Sequence, residues 1–414
     1  MLYPKRRWYP HAPAFCRWFC WVGCRLIGRL FGLKSEGLEH LAKGPALIIA
    51  PHVNFLDPIF ALATMPRPPR FIGDAFFTFS NPLLAWVMWL AGVVPVDRSR
   101  PDPYALRQYL RLMSHGELCV LFPEGARSLH GEVMPPMTQA VKLIAKLKIP
   151  VATVALEGAY DSWPRWDPQI RQPWGRVRVR FVEMLKTGES PRLNGKPQDV
   201  YDRRRGIDVE SERREIRRSL DQAARGEPEA TVLTRRGRPQ AVPRLLCFCP
   251  ECAQPSGLAW NHKTKLLTCS RCLLELRVLK HGLAARRATG DETPRSIAAW
   301  FHQMQNALRN KNSEDLTVAS KVSARVRENT DESDAPFEPA SVRIDQHGLA
   351  FRNSQLMLHV PLKFAAKGST KGSDVLDIPY AGRQITLISD EGHAVTWLIL
   401  IRRLAGWPDY FSEV

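Results

Sequence analysis

Residues 44–185 alternate between short apolar runs and segments whose apolar residues recur at helical spacing. The apolar runs predict strands at 45–50, 70–73, 93–96, 117–122, 150–156 and 177–182. The helically spaced segments predict helices at 58–65, 104–116 and 139–148. Because the strands are separated by helices, we expect an α/β fold in which a mixed sheet is flanked by helices.

A different pattern occupies the N-terminus, where an apolar stretch at 12–33 is interrupted by Arg17, Arg25 and Arg29. On a helix these arginines fall within an arc of about 120°, beside a broad apolar face rich in Phe and Trp. Such a helix is typical of segments that lie in the membrane interface, because arginines inside a spanning helix are costly. We expect an interfacial helix within residues 1–35; a core helix and a targeting segment are the alternatives.

A second apolar stretch, at 76–96, has no charged residue but contains Asn81, Pro82 and Pro95. These residues disfavour a membrane span, so we expect a shorter helix at 82–91. That helix either sinks partly into lipid, lines an apolar tunnel, or is buried in the core.

Three segments beyond the α/β region are rich in polar or charged residues. Residues 208–225 predict a charged, exposed helix with few apolar positions. Residues 226–243 combine Gly, Pro and a basic run, which is typical of a linker. Residues 311–339 are polar without a clear period and predict a mobile loop.

The rest of the C-terminal region has regular patterns. An amphipathic helix is predicted at 294–309, short alternating strands at 341–389 and a closing helix at 394–404. Several strands followed by one final helix resemble a pleckstrin-homology-like barrel. We therefore expect a β-rich C-terminal domain with a final helix at 287–414.

Length and charge narrow the class of function. The chain has 414 residues, which predicts two or three domains, and 59 Lys and Arg against 41 Asp and Glu give a net charge of +18. Such a surface attracts nucleic acid, anionic lipid or phosphorylated substrates. Residues 1–35 combine basic and aromatic residues and contain no acidic one. This combination favours a membrane surface over nucleic acid.

The first motif with chemical meaning is the pair His52 and Asp57, which are five residues apart. On one continuous helix they would diverge by about 140°, so they meet only if a turn intervenes. An apolar strand is predicted to end at His52. Asp57-Pro58 is typical of a helix start, with Asp57 at the N-cap and proline at the first helical position. A carboxylate behind an imidazole fixes its tautomer for general base catalysis. A helix cap beside an ordinary loop histidine is the alternative.

Two further motifs follow predicted strands. The segment 122–128 includes Glu124, Gly125 and Arg127: the glycine allows a tight turn, and the arginine offers a planar fork suited to phosphate. Glu124 can accept a hydrogen bond from a hydroxyl or hold the arginine. At the end of the strand 93–96, Arg98 is a second candidate phosphate ligand.

The order and spacing of these motifs, over residues 12–185, resemble the glycerolipid acyltransferase family, which includes the lysophosphatidic acid acyltransferases. The resemblance implies that His52 deprotonates a free glycerol hydroxyl and that Asp57 orients His52. The oxygen then attacks the thioester of acyl-CoA or acyl-carrier protein. It also implies that Glu124, Gly125 and Arg127 bind the acceptor, with Arg127 on its phosphate and Arg98 assisting.

The chain departs from the family pattern at three positions. The family often has Asn before the histidine and Ser two residues after it, where this chain has Pro51 and Asn54. A second proline of the family's fourth motif is replaced by Thr153. These changes leave His52 and Asp57 intact, and a lysolipid other than lysophosphatidic acid stays open as the acceptor.

Four cysteines, Cys249, Cys252, Cys269 and Cys272, have the spacing Cys-x₂-Cys-x₁₆-Cys-x₂-Cys. Each pair can place two thiolates on one tetrahedral ion, so the spacing predicts a zinc ribbon. Four thiolates leave no open position for water, so the zinc is expected to be structural. A redox pair or an iron site is the alternative.

The sequence as a whole predicts a membrane-associated O-acyltransferase of phospholipid biosynthesis or remodelling. We expect an interface helix at 1–35, an acyltransferase domain at 36–225, a linker at 226–243, a zinc ribbon at 244–286 and the β-rich domain at 287–414. The expected location is the cytoplasmic face of a membrane, as a peripheral or monotopic protein. A nucleic-acid-binding zinc-ribbon adaptor and an inactive membrane-docking scaffold are the alternatives.

Overall fold

The structure, a computed structural model, describes most of the chain, which forms two compact units. The first unit comprises Met1–Trp163 and Ile170–Pro228, and the second comprises Pro164–Gln169 and Glu229–Val414. The described residues are 13–30, 32–41, 44–79, 81–96, 102–169, 177–186, 196, 200–225, 233, 238–285, 293–328, 337–354, 356–371, 374–381, 383–389 and 393–407.

The first unit is built on seven strands with helices between them. The strands are β1 (Lys34–Glu36), β2 (Ala46–Ile49), β3 (Arg70–Asp74), β4 (Val93–Val96), β5 (Leu118–Leu121), β6 (Val151–Glu157) and β7 (Arg178–Lys186). The helices are α1 (Ala14–Leu30), α2 (Asp57–Thr64), α3 (Ala75–Thr78), α4 (Pro82–Leu90), α5 (Pro103–Ser114), α6 (Thr138–Lys146), α7 (Ala159–Ser162) and α8 (Val209–Arg225).

These strands form one sheet in the order β1-β7-β6-β2-β5-β3-β4. All neighbours are parallel except β6 and β7, so the expected mixed α/β sheet is confirmed. β2 and β5 are fully buried on both faces, which explains their continuous apolar sequences. Because β2 and β5 are parallel neighbours, the segments that follow them meet at one edge of the sheet.

Helix α8 differs from its expectation. The sequence predicted a charged, exposed helix, but Ile216, Leu220 and Ala223 are buried in the core on one side of the sheet. These residues are spaced four and three apart and therefore share one helical face. The prediction of an exposed helix is wrong because three apolar residues on one face are difficult to recognise in a sequence with many charged residues.

The second unit contains two antiparallel sheets. The smaller has the order β11-β10-β9-β8, with β8 (Leu258–Asn261), β9 (Leu266–Cys269), β10 (Glu275–Leu279) and β11 (Gly282–Ala285). The larger comprises β12 (Val318–Glu328), β13 (Glu338–Asp345), β14 (Gly348–Arg352), β15 (Met357–Val360), β16 (Ser369–Lys371), β17 (Val375–Tyr380) and β18 (Arg383–Ile388). The helices are α9 (Arg238–Leu245), α10 (Ile297–Arg309), α11 (Leu362–Ala365) and α12 (Ala394–Leu404).

The larger sheet has the order β15-β14-β13-β12-β18-β17-β16, so the long strand β12 is central, with three strands on each side. The closing helix α12 is buried over most of its length. A β-rich C-terminal region with a final helix is confirmed, and the pleckstrin-homology-like barrel stays a prediction.

Two predictions in this half differ from the structure. The last residues of the segment expected as a linker begin helix α9, in which Arg238 is fully buried and forms an ion pair with the fully buried Asp167 at 3.0 Å. The segment expected as a mobile loop contains β12, whose buried Val322 and Ala324 alternate with more exposed neighbours. In both segments the polar side chains obscured a short buried pattern. The exact domain boundaries stay predictions.

Candidate functional site

His52 lies just beyond the end of β2, and the chain turns between it and α2. This turn brings the His52 Nδ1 atom to 2.8 Å from Asp57 Oδ2. Asp57 is fully buried, whereas the His52 side chain is 19% exposed. Because Nδ1 is engaged by the carboxylate, Nε2 is the nitrogen through which the ring can exchange a proton.

Asp57 also organises the backbone of the turn. Its Oδ2 atom accepts hydrogen bonds from the backbone N–H groups of Val53 and Asn54, each at 2.8 Å. The expectation that Asp57 caps α2 is wrong, because the helix begins at Asp57 and the cap position is Leu56. The carboxylate is directed back to the loop that carries His52, so one side chain holds both the imidazole and the two backbone N–H groups that follow it.

Glu124, in the turn after β5, holds the same loop from the neighbouring strand. Its Oε1 accepts from the backbone N–H of His52 at 2.7 Å, and its Oε2 accepts from the backbone N–H of Met134 at 2.8 Å. The backbone carbonyl of His52 accepts from the N–H of Ser128 at 2.8 Å. The His52 ring stacks on Phe122, with ring centres 4.4 Å apart. The two motifs therefore form one hydrogen-bonded unit.

This geometry changes the expected role of Glu124. The sequence suggested that it binds a hydroxyl or holds Arg127, but both of its oxygens accept backbone N–H groups. Burial raises the pKa of Glu124 to about 8, although the two backbone hydrogen bonds oppose the shift. Glu124 Oε1 thus holds the backbone N–H of His52, and the binding of the acceptor by Glu124 stays a prediction.

Gly125 and Arg127 occupy the same turn. Gly125 has a φ of +67°, and an added Cβ would lie 1.9 Å from Met137 Sδ, so both conformation and space require glycine. The guanidinium carbon of Arg127 lies 5.3 Å from the ring centre of Phe55. Arg98, the other expected phosphate ligand, lies outside the described residues.

Sequence reasoning missed Asn54. Its side chain is fully buried and donates to the carbonyl of Ala159 and to Ser162 Oγ, which binds the His52 loop to α7. The signal was the departure from the family pattern at this position, but α7 is 105 residues away in the chain.

Helix α1 directs Arg17 and Arg25 toward the rest of the unit and many of its apolar residues outward, whereas Arg29 is exposed. Arg17 is buried and pairs with Glu117 at 2.8 Å, and Arg25 donates to the Met65 carbonyl just past the end of α2. The outward face carries Phe15, Trp18, Phe19, Val22, Leu26 and Ile27, which are 43–81% exposed. The adjacent helix α4 exposes Leu83, Trp86 and Val87. Within the described ranges, no helix is both long and apolar enough to cross a membrane.

The four cysteines of the second unit converge. The Sγ atoms of Cys249 and Cys272 are 3.6 Å apart, and those of Cys252 and Cys269 are 3.7 Å apart. All four sulfurs lie within 4.8 Å of one another. Disulfide sulfurs would be about 2.05 Å apart. Four sulfurs around a tetrahedral ion at about 2.3 Å lie about 3.8 Å apart, so the arrangement fits a bound metal ion.

The two cysteine pairs are held by the same local turn. After each pair, Ala253 and Leu273 adopt positive φ values of 54° and 61°. Their N–H groups donate to the carbonyls of Cys249 and Cys269. This matched geometry brings two Cys-x₂-Cys turns to face each other, as in a zinc ribbon.

Residues 32–157 match the protein-family model described as Acyltransferase. The chain is 32% identical over 148 residues to a chloroplastic 1-acyl-sn-glycerol-3-phosphate acyltransferase of Brassica napus, covering 35% of this chain and 42% of that protein. It is 31% identical over 153 residues to the LPAT1 chloroplastic enzyme of the same name from Arabidopsis thaliana, covering 36% of this chain and 42% of that protein. The chain thus spans less than half the length of these relatives.

Among solved structures, the chain resembles the 1-acyl-sn-glycerophosphate acyltransferase of Thermotoga maritima. The identity is 21%, the TM-score is 0.38, and the match covers 51% of this chain and 80% of that one.

Proposed function

We propose that this protein transfers a fatty acyl group from acyl-CoA or acyl-carrier protein to the free hydroxyl of a lysophospholipid such as 1-acyl-glycerol-3-phosphate. The observation that carries the proposal is the contact of 2.8 Å between His52 Nδ1 and the buried Asp57, at the edge of the sheet where the family motifs meet. The family match over residues 32–157 and the names of the relatives support the same reaction class.

In the proposed mechanism, His52 Nε2 takes the proton of the acceptor hydroxyl while its oxygen forms a bond to the thioester carbonyl carbon. Asp57 stabilises the imidazolium that results. The tetrahedral intermediate collapses as the carbon–sulfur bond breaks, and the imidazolium returns its proton to the leaving thiolate. The products are the diacyl phospholipid and the free thiol carrier, and His52 is again neutral.

The acceptor phosphate requires cationic ligands close to this histidine. Arg127 lies in the turn that is hydrogen-bonded to the His52 loop, and we assign it to the phosphate, with Arg98 as the second ligand. Gly125 keeps the turn tight enough for this approach. Glu124 contributes by holding the backbone of His52, so its effect on the acceptor is indirect.

Access to a lipid acceptor is provided by the outward apolar faces of α1 and α4. We propose that these faces sit in the interface of a bilayer, with the protein peripheral or monotopic on its cytoplasmic face, in phospholipid biosynthesis or remodelling. Since Arg17 and Arg25 are engaged by the protein itself, apolar burial supplies most of the attraction at this helix, and the exposed Arg29 adds to it.

The metal fitted by the four cysteines is proposed to be zinc. Cys249, Cys252, Cys269 and Cys272 would hold it as thiolates, and the ion would stabilise the ribbon. No step of the acyl transfer involves it.

The direct test is transfer from labelled acyl-CoA and acyl-carrier protein to a panel of lysophospholipids, comparing the wild type with H52A. We expect transfer by the wild type alone, and the panel then identifies the acceptor and the donor. A wild type that acylates none of them with either donor would overturn the proposal. Equal transfer by both proteins would overturn the assignment of His52 as the base.

A further inference from the structure

The only aromatic side chain between His52 and Asp57 is Phe55, and it lies beneath Arg127. Phe55 is 37% exposed, and its ring meets Trp163 edge-on, with ring centres 5.5 Å apart at 68°. Trp163 is half-buried and packs against the core on one side of the sheet. We call Phe55 and Trp163 the aromatic pair. It connects the core, through two rings, to the arginine assigned to phosphate.

The backbone on both sides of Phe55, the first residue of this aromatic pair, is fixed by buried hydrogen bonds. Asn54 donates to Ser162 Oγ at 2.7 Å and to the Ala159 carbonyl, and its own Oδ1 accepts from the N–H of Leu56 at 2.8 Å. These bonds fix the residues on either side of Phe55, and they bind the loop to α7, which ends directly before Trp163. The two rings are therefore positioned by the same buried amide.

We propose that Phe55 and Trp163 are positioning residues that orient the Arg127 guanidinium for the phosphate of the acceptor. A guanidinium above an aromatic face is attracted by the ring, while its N–H groups stay in its own plane and can donate to phosphate oxygens. Restricting the rotamers of Arg127 lowers the entropy cost of binding. This proposal rests on the proposed function. The proposal adds two determinants of acceptor specificity. One is Asn54, where the chain departs from the family pattern, and the other is Trp163, which lies beyond the residues that match the family model.

The first measurement is the binding of glycerol 3-phosphate, which requires no turnover, to the wild type, F55L, F55Y and R127A. We expect F55L to weaken binding roughly three- to tenfold, F55Y to bind like the wild type, and R127A to bind most weakly. The double variant F55L/R127A should bind no more weakly than R127A, because the ring acts only through the arginine.

The second measurement separates positioning from general damage. With lysophosphatidate as the acceptor, F55L and W163L should raise KM while leaving kcat within about twofold, since the base His52 is unaffected. With monoacylglycerol, which lacks the phosphate, F55L and the wild type should be equally slow. A merely structural role would lower kcat and the melting temperature with both acceptors.

A matched control exists in the second unit, where the guanidinium carbon of Arg325 lies 4.4 Å from the ring centre of Phe337. F337L removes a similar arginine–aromatic pair and should leave glycerol 3-phosphate binding unchanged. Unaltered binding by F55L, or losses that add in F55L/R127A, would overturn the inference. If the wild type binds glycerol 3-phosphate but transfers no acyl group, the proposed function fails. The binding comparison then still decides the role of the aromatic pair.

Discussion

The cysteine cluster and the His52 loop both follow a fixed sequence spacing, but they are built in opposite ways. Each cysteine pair is held by its own turn, in which the residue after the pair has positive φ and its N–H donates back to the first cysteine. The His52 loop depends on Glu124 and α7, which are 72 and 105 residues away from their partners in the loop. A site formed by local turns can be read from spacing, whereas a site formed by distant contacts requires the fold.

The largest expected effect is on metal binding and folding of the cysteine cluster, the site formed by local turns. We expect C252S and C269S to abolish binding of one zinc ion per chain and to unfold the ribbon, because zinc binding to such sites supplies roughly 10–16 kcal/mol of folding free energy. Metal analysis and thermal unfolding measure both effects. C247S is the matched control, since Cys247 is buried nearby outside the cluster, and it should retain the metal. A folded ribbon without metal would contradict this assignment.

The next largest effect is on acyl transfer by the His52 loop, the site formed by distant contacts. We expect H52A to reduce acyl transfer about 10³-fold, within the range attributed to general base catalysis, while the melting temperature stays close to that of the wild type. The side chain is partly exposed and stands beyond the strand end, so its removal leaves no core cavity. If the loss of activity were matched by a large loss of stability, His52 would be structural and not the base.

A smaller effect tests the turn that joins the two motifs. G125A should lower the free energy of unfolding by about 1–3 kcal/mol, because alanine disfavours φ of +67° and its Cβ would clash with Met137. G206A is the matched control, since a Cβ at Gly206 has no atom within 4 Å and its φ is not positive. Chemical denaturation of both variants measures the difference; equal stability would show that the turn adapts.

The smallest effect is a pH dependence at Glu124. Its pKa of about 8 in the folded protein is above the ordinary value of 4.5, so the folded state binds more protons between these values. The contribution of this group to stability is present below about pH 4.5 and is lost as the pH rises towards 8. Unfolding measured against pH should therefore have a shallower slope in E124Q, by up to about one proton. Identical slopes would contradict the raised pKa.

Sequence reasoning was most successful where a pattern reports on its own segment. Helix α4 was expected at 82–91 and lies at Pro82–Leu90, and the closing helix was expected at the bounds it has in the structure. The parallel strands β2 and β5 were recognisable because they are apolar throughout. These features depend on periodicity and on proline or glycine signals within about ten residues.

It was least successful where side chains have two possible environments. The arginines of α1 were expected to form one basic face of an interfacial helix, but Arg17 pairs with Glu117 and Arg25 donates to a carbonyl at the end of α2. Glu124 was expected to accept a hydrogen bond from a hydroxyl or to hold Arg127, and its contacts with the backbone N–H groups of His52 and Met134 were not foreseen. Helix α8 was expected to be exposed, yet it covers one side of the sheet. In each case the partner is distant in the chain, so no local pattern indicates it.

The sequence by itself determined the alternation of strands and helices, the turn between His52 and Asp57, and the two cysteine pairs. Each depends on backbone preferences and spacing within one segment. Only the tertiary structure decided that Glu124 holds the backbone of His52, which face of α1 points outward, and that Asn54 binds the loop to α7. These outcomes depend on burial, because a buried charge or amide requires a partner and the fold alone selects it.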